Sequence, residues 1–339
     1  MPNTRRIASF EVPAIGLGCM NLSHAYGQPP ETDAAERLLL EALDLGVTLF
    51  DTAALYGFGA NETLVGRVLK SRRESIVLCT KGGMAGEPGP DGALRRVIDG
   101  SPKALRRHCE DSLKRLQTET IDLYTLHRWD PRVPVAESVG EMARLRAEGK
   151  VRALGLSEVS AATLKLAHAE HPIAAVQSEY SLWTRNPEIA LSKACSELGV
   201  ALVAFSPVAR GFLSDAVPDP AHFDAKDIRL SMPRFAAPHW QANLALLPAV
   251  KKVANDAGCT LAQAALAWLL AQGEHVLAIP GTTSLAHLQE NCAAAHVTLS
   301  AAQLKKLGDL VNQCTVSGNR YGEQARGEVD SEVFAEPAR

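Results

Sequence analysis

The sequence has few aromatic residues, 5% of its 339 positions, and no excess of either charge. Lys and Arg number 35 against 38 Asp and Glu, a formal net charge of -3. That balance removes the basic footprint on which nucleic-acid binding depends. No apolar run approaches the ~20 residues of a membrane-spanning helix, and Met1–Phe10 lacks the apolar stretch of a signal peptide. The seven cysteines (19, 79, 109, 195, 259, 292 and 314) are scattered and never form C-x-x-C. This pattern excludes a disulfide framework and a zinc site, and it predicts reduced thiols in a cytoplasmic protein with no metal. There is no Walker loop, and no third glycine follows Gly16-Leu17-Gly18 to make a dinucleotide fingerprint.

Hydrophobic residues make up 46% of the chain, enough for a large core. They are organised as eight strand-like runs: Ala14–Met20, Thr48–Ala53, Ser75–Lys81, Ile121–His127, Val151–Ser157, Ala174–Tyr180, Ala201–Pro207 and His275–Gly281. Most are apolar at successive positions, as strands of a parallel sheet covered by helices are. Helical patterns fill the intervals. Asp33 with Glu36, Thr260 with Gln263 and Ser300 with Gln303 read as capping pairs, and Ser101-Pro102 as a capped helix start. Eight strand–helix units predict a closed (β/α)8 barrel, the TIM-barrel architecture, in preference to an open doubly wound sheet. Length alone suggests roughly two domains, but the barrel takes up the chain as one domain, 1–339. Its core spans about 7–312, an extra helix follows Leu299, and 313–339 is a polar tail expected to be partly mobile. Two long connections, Gly82–Ser101 and Val208–Trp240, follow strand C-termini, the face on which barrel enzymes build their sites.

Polar residues cluster at those strand ends: Asp51 and Tyr56 after the second strand, Lys81 after the third, His127 after the fourth. Singly they read as a turn residue, a packed ring, a solvated lysine and a structural histidine. Converging on one mouth, they read as a site. A tyrosine hydroxyl titrates near 10, and a neighbouring ammonium lowers that value. Asp51 would keep Lys81 charged, and His127 would bond the oxygen of a bound carbonyl. Such a group delivers a proton while a hydride arrives from a nicotinamide.

These residues lie in motifs that resemble the aldo-keto reductase superfamily. The matching stretches are Gly16-Leu17-Gly18-Cys19-Met20, Asp51-Thr52-Ala53, Tyr56-Gly57, Thr80-Lys81-Gly82, Leu126-His127-Arg128 and Gly155-Leu156-Ser157. Others are Val176-Gln177-Ser178-Glu179-Tyr180, Phe205-Ser206-Pro207, Ile279-Pro280-Gly281-Thr282-Thr283 and Glu290-Asn291. They are most similar to the bacterial, fungal and plant branch of general aldehyde and ketone reductases. The resemblance implies a barrel closed at its bottom by a hairpin of Ile7–Phe10 with Val12–Ile15. It implies NADP(H) across the mouth, with NAD(H) accepted as well, and Asp51, Tyr56, Lys81 and His127 as the catalytic group. Ser157 and Gln177 would hold the nicotinamide carboxamide, Phe205 would stack on the ring, and Arg210 would reach the pyrophosphate. Thr282, Thr283, Ser284, Glu290 and Asn291 would surround the adenosine. Gly18, Cys19, Met20, Ser206, Pro207, Val208, Gly281 and His287 complete the implied cofactor contacts.

Two departures stand out. Glu158 occupies a position where relatives often have Asn. No Lys or Arg lies between Lys252 and Lys305, where an NADPH site is usually basic, so discrimination against NADH is expected to be weak. Tyr26, Phe58 and Trp129 are the candidate substrate walls, with Asn21, His24 and Trp183 as further options, and no basic cluster among them calls for an anionic substrate. The expected partner is a small aldehyde or ketone, and the expected state a monomer or weak homo-oligomer. Two other functions remain open: a Schiff-base aldolase using Lys81, and a cofactor-sensing accessory subunit with little turnover.

Overall fold

The computed structural model describes residues 4–23, 25–217 and 219–335. Its strands are β1 (Thr4–Ile7), β2 (Phe10–Pro13), β3 (Leu17–Gly18), β4 (Leu49–Asp51), β5 (Val77–Gly82) and β6 (Met84–Pro88), then β7 (Leu94–Ile98), β8 (Ile121–Leu126), β9 (Val151–Ser157), β10 (Ala175–Glu179), β11 (Ala201–Phe205) and β12 (Val276–Ile279). The helices are α1 (Thr32–Asp44), α2 (Ala60–Leu69), α3 (Pro102–Leu116), α4 (Val135–Ala147), α5 (Ala161–Glu170) and α6 (Leu191–Leu198), then α7 (His239–Leu244), α8 (Leu247–Asp256), α9 (Leu261–Leu270), α10 (Leu285–Ala293), α11 (Ala301–Leu310) and α12 (Glu323–Arg326).

Eight parallel strands run in the order β3-β4-β5-β8-β9-β10-β11-β12. The sheet closes on itself where Ile15 bridges Ala278, with Gly16 N–H donating to Ala278 O (2.8 Å) and Ala278 N–H to Ala14 O (2.9 Å). Gly16 is needed at this seam, because a Cβ there would lie 2.8 Å from Leu49 O. The fold is a (β/α)8 barrel. Strands β5 and β8 are buried at all six positions, which explains their lack of alternation. Helices wrap the outside in one large apolar layer. A smaller inner cluster joins Leu49, Val77, Leu123, Val203 and Leu277 to Ile7 and Val12 of the hairpin that plugs the bottom. That hairpin pairs Thr4–Ile7 with Phe10–Pro13, shifted from the expected registration. Ala14 and Ile15 are unavailable to it because they pair with Ala278 at the seam.

The capping boxes at Thr260–Gln263 and Ser300–Gln303 form, as does the Ser101 cap on α3. The Asp33–Glu36 pair does not. Helix α1 starts two residues earlier, so Glu31 takes the cap position without a side-chain bond and Asp33 falls inside the first turn.

Three segments cover the mouth. The first long connection folds into the antiparallel hairpin β6–β7, and the second into short 3-10 turns leading to α7. The third is the tail, which makes hydrogen bonds to the barrel through its acidic residues. Asp330 Oδ2 accepts from Ser160 N–H and from Ser160 Oγ–H, both at 2.9 Å. Glu332 Oε1 accepts from Ala161 N–H at 2.7 Å. Two tail carboxylates thereby satisfy the open amide groups at the start of α5. No helix among the described residues is long and apolar enough to cross a membrane, and no group of three or more His, Cys, Asp or Glu is placed to hold a metal ion.

Candidate active site

Asp51 ends β4 opposite Cys79 of β5, and Lys81, two residues further along β5, projects to the same inner face. Lys81 is fully buried, and its Nζ donates to Asp51 Oδ2 (2.5 Å), Thr52 O (2.9 Å) and Tyr56 Oη (3.1 Å). Gln177, on β10, donates from Nε2 to the other Asp51 oxygen at 2.8 Å. Tyr56 reaches the group because the chain turns sharply behind it: Gly57, Phe58 and Gly59 all have positive φ, leading straight into α2. Asn61 of α2 fixes this turn, accepting from Thr52 Oγ1 and donating to Cys19 O. His127 follows β8 and presents its ring edge-on to Tyr56, centroids 5.9 Å apart and planes at 86°.

The electrostatics differ from the expectation in one respect. Burial pushes the Tyr56 phenol above its ordinary range, and the Lys81 ammonium takes back only part of that rise. Burial also works against the charge on Lys81, but Asp51 and the Tyr56 oxygen outweigh it and hold the ammonium above the usual lysine range. Lys81 is therefore a charged hydrogen-bond donor to Tyr56, and Tyr56 is a protonated phenol at neutral pH.

These residues floor a cavity of ≈900 Å³ at the C-terminal face of the barrel. Asp51, Tyr56 and His127 line it, as do Gly18, Met20, Tyr26, Ser157, Gln177, Phe205, Ser206, Pro207, Val208, Arg210, Gly281, Thr282, Thr283, His287, Glu290 and Asn291. Asn21 lines it too. Five expected residues do not: Lys81 is fully buried beneath the cavity floor, and four others lie elsewhere. Cys19 is fully buried under the barrel rim, with its Sγ turned back to Leu17 O. Ser284 spends its hydroxyl capping α10 through His287 N–H. The positive φ of Phe58 swings its ring outward, where it is 42% exposed over Gly86 in a separate small pocket. Trp129 leans away from the mouth, packed on the helical layer with Nε1 donating to Val133 O (2.9 Å). Trp183 belongs to the core, stacked on Phe212 at 4.1 Å, and His24 lies outside the described residues.

The tail supplies a wall that the motifs did not reveal: Tyr321, Gly322, Glu323, Gln324, Ala325, Glu328 and Val329 all line the cavity. It is tied down by a buried cluster of charges. Arg320 pairs with the fully buried Glu158, which also accepts from Ser331 Oγ and from Glu179 N–H. Arg210 pairs with Glu179 at 2.6 Å and donates to the hydroxyls of Tyr26 and Tyr321, both at 3.3 Å. Burial works against the Glu179 charge, but Arg210 and Arg320 hold its carboxyl down at about 2. Glu158 is thus an anchor for the tail.

A model described as the aldo/keto reductase family matches residues 14–312. The chain belongs to that family. It is 43% identical over 318 residues to a probable aldo-keto reductase 1 of Glycine max, covering 92% of this chain and 89% of that one. It is 40% identical over 323 residues to the aldo-keto reductase yakc [NADP(+)] of Schizosaccharomyces pombe, covering 94% of each. Among solved structures, the glycerol dehydrogenase of Gluconobacter oxydans superposes with a TM-score of 0.84 at 27% identity, covering 99% of both chains. In this aldo/keto reductase three of the four strand-end residues named from the sequence line one cavity with Lys81 bonded beneath them, and residues of the β12–α10 junction and of α10 lie along the same cavity.

Proposed function

We propose that this aldo/keto reductase converts an aldehyde or ketone to the alcohol with Tyr56 as the proton donor. The observation that carries the reading is the Lys81 Nζ bonded at once to Asp51 and to the Tyr56 hydroxyl, beneath a cavity that His127 also lines. Lys81 orients the phenol and stabilises the negative charge left on its oxygen when the proton departs. Asp51, held by Gln177, keeps Lys81 charged and in place. His127, edge-on to Tyr56 in the cavity lining, bonds the carbonyl oxygen.

The donor set fits NADP(H), which a relative's name also carries. The cavity approaches the upper end of the ~300–1,000 Å³ range of ligand sites. Ser157 and the free oxygen of the Gln177 amide would hold the carboxamide, Phe205 would cover the ring, and Thr282, Thr283, Glu290 and Asn291 would hold the adenosine. When bound, the cofactor supplies the hydride. A Schiff-base aldolase is disfavoured because it needs a neutral lysine, and Lys81 is held charged.

The experiment is aldehyde-dependent NADPH consumption by wild type and Tyr56→Phe, with cofactor binding followed by fluorescence. We expect the variant to bind NADPH as the wild type does and to lose about 10²- to 10⁴-fold in rate. An unchanged rate removes Tyr56 from this role. Tight cofactor binding with no turnover of any carbonyl by the wild type favours the sensor function.

A further inference from the structure

Four arginines line the cavity, and three are neutralised there: Arg96 by Glu328, Arg210 by Glu179 and Arg229 by Asp227. Arg128 is not. Among the described residues its only hydrogen bonds come from Nη1, to His127 O at 2.6 Å and to Ser157 Oγ at 3.2 Å. Glu158, a carboxylate stabilised by the Arg128 charge, is already taken by Arg320. Among the described residues the donors on Nε and Nη2 have no protein acceptor, and because Arg128 is half-buried and lines the cavity they are available to a ligand there. Glu179 is likewise taken, by Arg210, so neither of these two buried carboxylates is left to neutralise Arg128.

We propose that Arg128 recognises a carboxylate on the substrate, so that the preferred carbonyl compounds of this enzyme are oxo acids. This rests on the carbonyl-reductase reading above and gives it a substrate class. The two bonds pin the guanidinium between the ends of β8 and β9, between the residue that would hold the carbonyl and the one that would hold the nicotinamide. That places it at the reacting end of the cavity, away from the α10 side where the adenosine would lie. A single planar fork suits a carboxylate, which it can bind through two parallel bonds. A phosphate would call for a second cation, and the nearest candidates are already paired. Residue-type patterning did not suggest an anionic substrate, because the pairing state of Arg128 is visible only in three dimensions.

The test compares 3- and 4-carboxybenzaldehyde with their methyl esters, as kcat/KM ratios within each protein variant. Taking the ratio inside one variant cancels any general loss from misfolding. For at least one position the wild type should prefer the acid by about ten- to a hundredfold, the range of a hydrogen bond to a charged group. Arg128→Met should bring that ratio to about one, and Arg128→Lys should leave it between. The matching product alcohols, acid and ester, are titrated into the NADP⁺-loaded protein by calorimetry, which reads the same selectivity without turnover. Acid and ester reduced equally well by the wild type, or a ratio that survives Arg128→Met, overturns the carboxylate role while carbonyl reduction stands. A binding preference abolished by Arg128→Met in a protein that reduces neither aldehyde supports the carboxylate role and removes carbonyl reduction.

Discussion

At Lys81 a fully buried ammonium is surrounded by three oxygens, and its charge is balanced by Asp51 alone. Removing one member of a buried pair leaves the other uncompensated, which costs about 3–5 kcal/mol. Lys81→Met should therefore lower stability by roughly 3 kcal/mol, Gln177 still supporting Asp51, besides slowing reduction at least about 10²-fold. Adding Asp51→Asn should restore part of the stability, because no buried charge is then stranded, and none of the rate. Urea midpoints and single-turnover rates of the two variants check this; a double variant less stable than Lys81→Met would contradict the pairing argument. The same scale shows what residue patterns convey. Asp51, Lys81 and His127 were legible because a strand end in a barrel fixes where a side chain points. Phe58 and Trp129 were not, because past the strand end the turn dihedrals decide, and the positive φ of Phe58 turns its ring to solvent.

At the scale of elements, the proposed cofactor site puts cofactor choice at the junction of β12 with α10. The segment from Gly281 to Asn291 contributes hydroxyls, an imidazole and a carboxylate to the cavity, and no Lys or Arg. A 2′-phosphate would rest on Thr282, Thr283 and the opening amides of α10, without the charge-assisted bonds that separate NADPH from NADH. We expect kcat/KM values for the two cofactors within about tenfold of each other, and His287→Arg to raise the NADPH preference by about tenfold or more. Steady-state kinetics with both cofactors decides; a thousandfold NADPH preference in the wild type rules the argument out. The eight barrel strands and most helix caps could be read from the sequence, since each depends on residues close together in the chain. The hairpin β6–β7 could not, because it lies over the mouth with Leu94 and Val97 exposed and lacks an alternating apolar face.

Across the whole molecule, the tail is held by contacts between residues far apart in sequence. Arg320 and Glu158 are separated by 162 positions and Arg96 and Glu328 by 232, distances over which no local pattern operates. That is why the tail read as loose polar chain, although its Arg320-Tyr321 pair and the acidic residues Asp330 and Glu332 were the available sign. The clamp ties the tail's attachment to pH. Glu179 titrates at about 2 in the fold, and Glu158 is also held below the carboxylate range, in both cases by arginines that outweigh the effect of burial. A carboxyl whose folded value lies below its unfolded value of about 4.3 stabilises the fold above that range and loses the contribution as pH falls toward about 2. Stability should therefore decline progressively below about pH 4.5. Arg320→Met strands the Glu158 carboxylate in the interior and should cost about 3 kcal/mol at pH 7. On acidification Glu158 takes a proton in the variant first, so the gap between variant and wild type should narrow toward pH 4. Urea unfolding of both proteins at pH 7 and pH 4 measures the gap, and one that is constant or widens would show that Arg320 holds the tail by packing instead of charge.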